Sequence, residues 1–331
     1  MCFWLDRIRE NLESSIATPA DLVDHPGVLS SKSAVRSPAL PRTVLESRSV
    51  MHKPELTRRQ FLSSLAAAPL IAVSTTAAYA TLIAPHSYEI TDTDIVIPNL
   101  PERFEGFRVT QLTDIHHSRI VDLSEVQRVV TLANETKPDL MVLTGDYTTS
   151  YRRYIEPCAE VLSGLKAPEG VWAVLGNHDH YTDPELTTRA LLRNRIAVMN
   201  NLNTVLRRGS DAIQLAGIDD WSWNGTDWKR AFYGLNESLP LVLLSHQPSV
   251  LDLDASKKAA LIISGHTHGG QIKLPFIGAP ARFATIDLKY ANGLFRRDQT
   301  QLYVSRGTGV IGLPVRLGVR PEIAVLRLRR A

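Results

Sequence analysis

Short apolar segments of the β type recur in the chain, and each ends in a polar cluster of Asp, His, Asn and Gly. The clusters are Asp114-Ile115-His116-His117, Gly145-Asp146, Gly176-Asn177-His178-Asp179-His180, His246, and the run 265–271, Gly-His-Thr-His-Gly-Gly-Gln. In an α/β sheet the carboxyl ends of the strands form one edge, so loops that are far apart in sequence converge there. This pattern limits the chain to folds that bring about 150 residues of sequence to one site.

The segments between the clusters alternate between strand and helix patterns. Strands are predicted at residues 107–113, 140–144, 171–175, 212–218, 241–245, 261–264, 301–305 and 323–327. Helices are predicted at 123–132, 155–165 and 184–193, the last with Pro184 in its first turn. This alternation predicts an α/β fold, and we treat residues 81–331 as one domain.

The polar clusters have the composition of a metal site. In an extended segment, Asp-x-His places both side chains on one side, so Asp114 and His116 can face one ion, and His266 and His268 repeat the spacing. Asp, Asn and His without a thiolate suit manganese, iron or zinc. Two such ions about 3.5–4 Å apart can clamp an in-line displacement at phosphorus, which predicts a hydrolase.

Taken singly, each of these motifs has an ordinary structural explanation. A lone Gly-Asp is usually a turn, and a lone His at a strand end is usually a hydrogen-bonded structural residue. Five clusters in order favour the functional interpretation, because Asp and His buried without a partner or a metal cost several kcal/mol.

The ordered clusters resemble those of the calcineurin-like metallophosphoesterase superfamily over residues 104–328. The resemblance implies a four-layer sandwich, in which two mixed β-sheets are flanked by helices and the dinuclear site lies at the strand ends. It also implies two divalent ions per subunit, the first held by Asp114, His116, Asp146 and His268, the second by Asp146, Asn177, His246 and His266. Asp146 then bridges the ions, a hydroxide between them attacks phosphorus, and His178 assists the leaving group without being a ligand.

The segment before the domain has the order of an export signal. Arg58 and Arg59 precede an apolar run at 65–73, and Ala78-Tyr79-Ala80 offers a small-x-small cleavage site. This resembles a twin-arginine signal, so the expected partner during export is the twin-arginine translocase and the expected location is the periplasm or cell envelope. Cleavage after Ala80 is our expectation, and retention as a membrane anchor is the alternative.

We predict three regions: an extension at 1–50, a twin-arginine signal peptide at 51–80, and the metallophosphoesterase domain at 81–331. Residues 1–50 mix Ser, Pro and charge without a period, and a signal normally begins a chain. We therefore expect translation to start at Met51, with a genuine cytoplasmic extension as the alternative.

The expected substrate is a small or lipid-linked phosphoester, most simply a phosphodiester. Tyr147-Thr148-Thr149-Ser150 follows Asp146 where protein Ser/Thr phosphatases carry a further Asp and Arg, which argues against phosphoproteins. The alternatives are a lipid-linked pyrophosphate or phospholipid hydrolase with peripheral membrane contact, and a non-catalytic metal-binding scaffold. A net charge of only +3 without a basic stripe argues against a stable nucleic-acid complex.

Several other residues allow only general expectations. Trp221, Trp223 and Trp228 are expected to anchor the core rather than to cap the substrate. The arginines at 306, 316 and 320 can contact phosphate oxygens or carry ordinary surface charge. His117 and His180 are expected to be structural, and Cys158 to be a free thiol.

Overall fold

The computed structural model describes residues 57–274, 276–279 and 288–331, and the predicted extension at 1–50 lies outside them. The α-helices within the described residues are α1 Arg58–Ala78, α2 Leu123–Glu135, α3 Ile155–Leu162, α4 Asn177–Thr182, α5 Pro184–Arg193 and α6 Trp228–Ala231. The strands are β1 Glu89–Ile97, β2 Arg108–Leu112, β3 Leu140–Thr144, β4 Val171–Val174, β5 Ala197–Val198, β6 Leu202–Arg208, β7 Asp211–Gly217, β8 Leu241–Leu244, β9 Leu261–Ser264, β10 Gly293–Arg297, β11 Thr300–Val304 and β12 Glu322–Arg330.

The strands form two mixed sheets. In the described residues the first sheet has the order β1-β12-β2-β3-β4-β5 and the second the order β10-β11-β9-β8-β7-β6. The inner pairs β2–β3, β3–β4, β7–β8 and β8–β9 are parallel, so their carboxyl ends share an edge within each sheet. The predicted α/β class, with two mixed sheets flanked by helices, is confirmed.

The core has three layers of apolar contact. The central cluster lies between the sheets, where Val142 and Leu326 of the first sheet pack with Val242 and Ile263 of the second. A second cluster packs the outer face of the first sheet against α2 and α3, and a third packs the second sheet against α6 and residues 248–258. Strands β3, β8 and β9 are buried on both faces, which explains their continuous apolar sequences.

The sequence predicted the buried strands and the amphipathic helices well. Helix α5 has the predicted bounds, because Asp183 accepts a hydrogen bond from Leu186 N and Pro184 fits the first turn. Helix α2 begins at a capping box formed by Asp122 and Glu125. Strand β1 was missed because its side chains alternate between partial burial and exposure, and β5, β6, β10, α4 and α6 were also missed.

Helix α1 covers most of the predicted export segment. It begins at a capping box between Thr57 and Gln60, and its described side chains are exposed. The apolar segment that continues to His86 is long enough to cross a membrane, a test that signal sequences near an N-terminus also pass. The buried part of the chain begins at Ala80, which is 4% exposed.

We expect Leu143→Ala in β3 to destabilise the domain by about 2–5 kcal/mol, because Leu143 is fully buried and its removal leaves a cavity. The free energy of unfolding in guanidinium chloride measures the loss. Leu192→Ala in α5 is the matched control, since Leu192 is 54% exposed and should lose less than about 1 kcal/mol. Equal losses for the two variants would contradict the layer assignment.

Candidate metal centre

The five polar clusters meet at the carboxyl ends of β2, β3, β4, β8 and β9. Backbone hydrogen bonds tie the loops together: Asp114 N donates to Gly145 O (3.0 Å), and His116 N donates to Asp146 O (3.0 Å). Gly265 N donates to His246 O at 3.0 Å and joins the loops after β8 and β9. The loops therefore form one framework that fixes the side chains above it.

The backbone at this site is left-handed rather than extended. The residues with positive φ are Asp114 (53°), His116 (53°), Asp146 (59°), His266 (73°) and His268 (51°). The expectation that Asp-x-His lies in an extended segment is therefore wrong. The first and third residues of each motif instead adopt the left-handed conformation and turn the chain. This conformation costs roughly 1–2 kcal/mol per residue.

Two glycines allow the loops to approach closely. A Cβ on Gly265 would overlap Thr113 Oγ1 and the carboxylate of Asp114. A Cβ on Gly176 would overlap the carboxylate of Asp146. These positions need glycine because a neighbouring carboxylate occupies the space of a side chain.

The first group of converging donor atoms belongs to Asp114, His116 and His268. His116 Nε2 lies 3.1 Å from His268 Nε2, and His268 Nε2 lies 3.4 Å from Asp114 Oδ1. Asp114 also accepts hydrogen bonds from His266 N (2.9 Å) and Thr113 Oγ1 (2.8 Å), which orient its carboxylate. Burial, partly offset by His246, raises the pKa of Asp114 to about 6.

The second group comprises Asp146, His246 and His266. His246 Nε2 lies 3.1 Å from His266 Nδ1 and 3.0 Å from Asn177 Oδ1. Asp146 Oδ2 lies between the groups, 3.3 Å from His246 Nε2 and 3.5 Å from His116 Nε2. The structure thus places His266 and His268 in different groups, as the family resemblance implied, although their spacing alone suggested that both face one ion.

The protonation states of this cluster fit a cation. Burial lowers the pKa of both His116 and His266 to about 3, and it also lowers that of His268, so their ring nitrogens keep free lone pairs at neutral pH. Burial opposes charge on Asp146, yet the neighbouring His246 and His116 hold the pKa of this carboxyl well below its usual range.

His246 is the exception among the histidines. Burial opposes its charged form, but Asp146 raises its pKa well above the ordinary value. His246 Nδ1 donates to Thr144 O at 2.7 Å, so Nε2 is the ring nitrogen that faces Asp146, Asn177 and His266. A cation would favour this point for the same reason, since only acceptor atoms surround it.

Close contacts between acceptor atoms also support a metal. His116 Nε2 and His268 Nε2 lie 3.1 Å apart and within 3.5 Å of the carboxylates of Asp146 and Asp114, while among the described residues both Nδ1 atoms are buried without a hydrogen-bond partner. The side chains present therefore fit divalent cations of the borderline class.

His178 stands at the edge of the cluster. Its Nδ1 donates to Thr149 O at 2.7 Å, which directs Nε2 away from that carbonyl, and its ring meets His116 edge-on at 4.9 Å between centroids. Its backbone N–H donates to Asp146 Oδ1 at 2.9 Å. The group that orients His178 is thus a backbone carbonyl and not the carboxylate of Asp179.

Asp179 holds the framework together, a role that the sequence analysis missed. Its fully buried carboxylate accepts hydrogen bonds from Gly176 N (2.9 Å), Asp146 N (2.8 Å) and Tyr147 N (3.0 Å). Burial and the charge of Asp146 raise its pKa to about 7. The available sequence indication was its position three residues after Gly176, where a carboxylate caps a helix start.

A cleft of about 790 Å³ opens above the cluster. It is lined by Asp146, Asn177, His178, Trp221, Ser222, Trp223, Gln247, Pro248, Ser249, His266, His268, Tyr290, Ile311 and Gly312. Trp221 and Trp223 are 38% and 49% exposed, so the expectation that they anchor the core is wrong for both. Trp228 does pack against the third apolar cluster, beside Phe232.

The remaining candidates are structural. Arg316 is fully buried, and its guanidinium donates to backbone carbonyls of the loop 306–309. Arg306 pairs with Glu322 at 3.0 Å, and Arg320 donates to Ser87 O.

The other predicted structural residues also have protein partners. His117 is hydrogen-bonded to Val121 O at 2.8 Å, and His180 to Asp219 at 2.6 Å. Cys158 is a buried free thiol, as expected.

The chain is similar to several known proteins. Residues 107–270 match the model of the calcineurin-like phosphoesterase family. The uncharacterized metallophosphoesterase YkuE of Bacillus subtilis is 33% identical over 83% of this chain and 98% of its own length. The phosphodiesterase YaeI of Escherichia coli is 31% identical over 82% and 99%, and the UDP-2,3-diacylglucosamine pyrophosphatase LpxG of Chlamydia muridarum is 26% identical over 80% and 95%.

We expect Asp179→Asn to lower the free energy of unfolding by about 1.5–3 kcal/mol, because one buried carboxyl group accepts from three backbone N–H groups and an amide has only one acceptor oxygen. It should also weaken metal binding, since Asp146 loses the hydrogen bond that fixes its backbone. Denaturant unfolding and calorimetric metal titration measure the two effects. Asp254→Asn is the control, because that side chain is 87% exposed; a loss no larger than the control's would contradict the assigned role.

Proposed function

The chain belongs to the calcineurin-like phosphoesterase family of metal-dependent hydrolases, and we propose that it hydrolyses a phosphodiester at a centre of two divalent ions. The observation that carries the proposal is the position of Asp146 between two groups of buried donor atoms, with Oδ2 3.5 Å from His116 Nε2 and 3.3 Å from His246 Nε2. One cation would be held by Asp114, His116, Asp146 and His268. The other would be held by Asp146, Asn177, His246 and His266.

The donor set supports manganese, iron or zinc. Imidazole suits these ions, and the carboxylates and the Asn177 amide add oxygen ligands without a thiolate. When bound, a pair of such ions would polarise a phosphoryl oxygen and lower the pKa of a water at neutral pH. The protein contributes fixed ligands, because the loops are joined by backbone hydrogen bonds and by Asp179.

His178 is the proposed proton donor to the leaving oxygen. It lines the cleft beside Asp146, and although its ring also converges with His116 and Asp146, each proposed site has four ligands without it. The hydrogen bond from Nδ1 to Thr149 O fixes the ring, so Nε2 is the atom that faces substrate. A positioned imidazole of this kind typically contributes about 10²–10⁴-fold to the rate.

The similarity to YaeI, which is named as a phosphodiesterase, supports a diester as the substrate class. The second candidate is a lipid-linked pyrophosphate or phospholipid, and it is supported by the name of LpxG and by the tryptophans in the cleft. A non-catalytic scaffold is disfavoured, because the seven ligand positions are filled and an open cleft leads to them.

Export by the twin-arginine translocase to the periplasm or cell envelope remains our proposal for location. Arg58 and Arg59 begin α1, ahead of its apolar run, as such a signal requires. Because this route carries folded proteins, the ions would be inserted in the cytoplasm.

Removal of metal tests the number of ions. Elemental analysis of the full chain should find two ions per subunit, and chelation should lower the melting temperature, because the buried carboxylates then lose their counter-charge. Readdition of manganese should restore both stability and activity. One ion per subunit, or no change in melting temperature, would contradict the binuclear proposal.

The His178→Ala variant tests catalysis. It should keep two ions and a normal melting temperature but hydrolyse a chromogenic phosphodiester about 10²–10⁴-fold more slowly. His86→Ala is the control, since the His86 side chain is 46% exposed and pairs with Glu125. Asp146→Asn should lose metal as well as activity; a metal-loaded variant at either position that matches the parent rate would sink the assignment.

A further inference from the structure

Helix α1 is an exposed apolar helix that is fixed to the folded domain at its C-terminal end. Its 21 residues span about 31 Å, close to the thickness of a bilayer's hydrocarbon core. Its side chains make no core among the described residues. An uncovered apolar helix of this length needs an apolar surrounding, and a bilayer provides one.

The junction with the domain protects the predicted cleavage site. The chain stays helical through Tyr79–Ile83, Ala80 is buried, and its carbonyl accepts a hydrogen bond from Arg316 N at 2.9 Å. Proteases cut exposed, irregular segments, and a buried helical bond is not one. The folded domain therefore favours retention of α1.

A short path of contacts leads from α1 to the metal centre. The buried guanidinium of Arg316 donates to Gly307 O and Gly309 O. Gly309 N in turn donates to Asp114 O at 2.8 Å. Two residues, Arg316 and Gly309, therefore connect Ala80, just after the end of α1, to the proposed ligand Asp114.

Exposed apolar side chains surround this junction. They are Leu82 (71%), Ile83 (55%), Phe276 (109%), Ile277 (73%) and Leu313 (55%), which we call the apolar rim. The two parts of the rim are connected, because Leu317, next to Arg316, exchanges backbone hydrogen bonds with Gln271 and Lys273, and Leu274 pairs with Gly278.

The apolar rim also continues into the cleft. Gln271, three residues after His268, donates through its side chain to Ile311 O at 3.0 Å and to Leu313 O at 3.2 Å. Ile311 lines the cleft together with His268, while Leu313 belongs to the rim. Residues 311–313 thus form part of the cleft wall and part of the apolar rim.

We infer that α1 is retained as a membrane anchor, that the apolar rim rests on the same bilayer, and that the cleft takes a phosphodiester carried by a membrane lipid. This inference rests on the proposed function and names its substrate class. Water adds across one P–O ester bond and gives a phosphomonoester and an alcohol. The headgroup would reach the ligands while the acyl chains stay in the bilayer, and Trp221 and Trp223 suit such a polar–apolar boundary.

A polarity-sensitive fluorophore tests the membrane contact. It is attached to Ile277→Cys in the full chain with Cys2→Ser, and the native Cys158 is buried and does not react. After reconstitution into phosphatidylcholine vesicles containing phosphatidylglycerol, the emission should shift to the blue. Tyr233→Cys is the matched control, since Tyr233 is 81% exposed beside Leu202 and Lys229 and should report water. Equal spectra at the two positions would overturn the inference, as would an intact mass showing loss of the residues before Thr81.

The rates of hydrolysis of a vesicle lipid and of a soluble diester test the lipid substrate separately from the proposed function. The double variant Phe276→Asp, Ile277→Asp should cleave fluorescent phosphatidylglycerol in vesicles about tenfold more slowly than the parent, because burial of both side chains is lost. Its rate on a soluble chromogenic phosphodiester should be unchanged, as should both rates of the control Tyr233→Asp.

The remaining outcomes show whether the lipid substrate or the proposed function is wrong. A parent that cleaves the soluble diester but not the vesicle lipid, or a double variant as fast as the parent on vesicles, overturns the lipid substrate and leaves the proposed function intact. A parent with two ions that cleaves neither substrate overturns the proposed function, and the fluorophore still decides the membrane contact.

Discussion

The burial of Asp114 and Asp146 among four imidazoles is the constraint on which the site depends. Carboxylates removed from water require a compensating charge, and this one cluster can meet the requirement with a proton on His246 or with divalent cations. The lowered pKa values of His116 and His266 keep their lone pairs available. The electrostatics that make these carboxylates costly to bury are the same electrostatics that would bind metal.

Such a cluster needs a backbone that can hold it. The left-handed residues at the strand ends cost roughly 1–2 kcal/mol each, and the two packed sheets supply the stability that offsets this cost. Asp179 adds a second support, because its carboxylate gathers three backbone N–H groups from two loops. The positions of the ligand side chains are therefore fixed both by the buried strands and by the buried carboxyl group of Asp179.

A short path of hydrogen bonds links the segment after α1 to the candidate metal centre. Arg316 joins the end of the helix to the loop beside Asp114, and burial lowers the pKa of its guanidinium to about 10 while it serves backbone carbonyls. Its Nε and Nη2 groups donate to backbone carbonyls, and the whole side chain is buried away from the cleft. Its function is to hold the helix junction and the metal loop in one arrangement.

The sequence by itself determined the α/β class, the central strands and the residues that gather at their ends, because apolar periodicity and strand-end polarity are local properties. The family resemblance already implied that His266 and His268 face different ions, but only the tertiary structure showed how, through left-handed backbone at both residues. It also assigned Asp179 to the framework and Trp221 to the cleft. Those roles depend on contacts between distant loops, and no local pattern records which loops will meet.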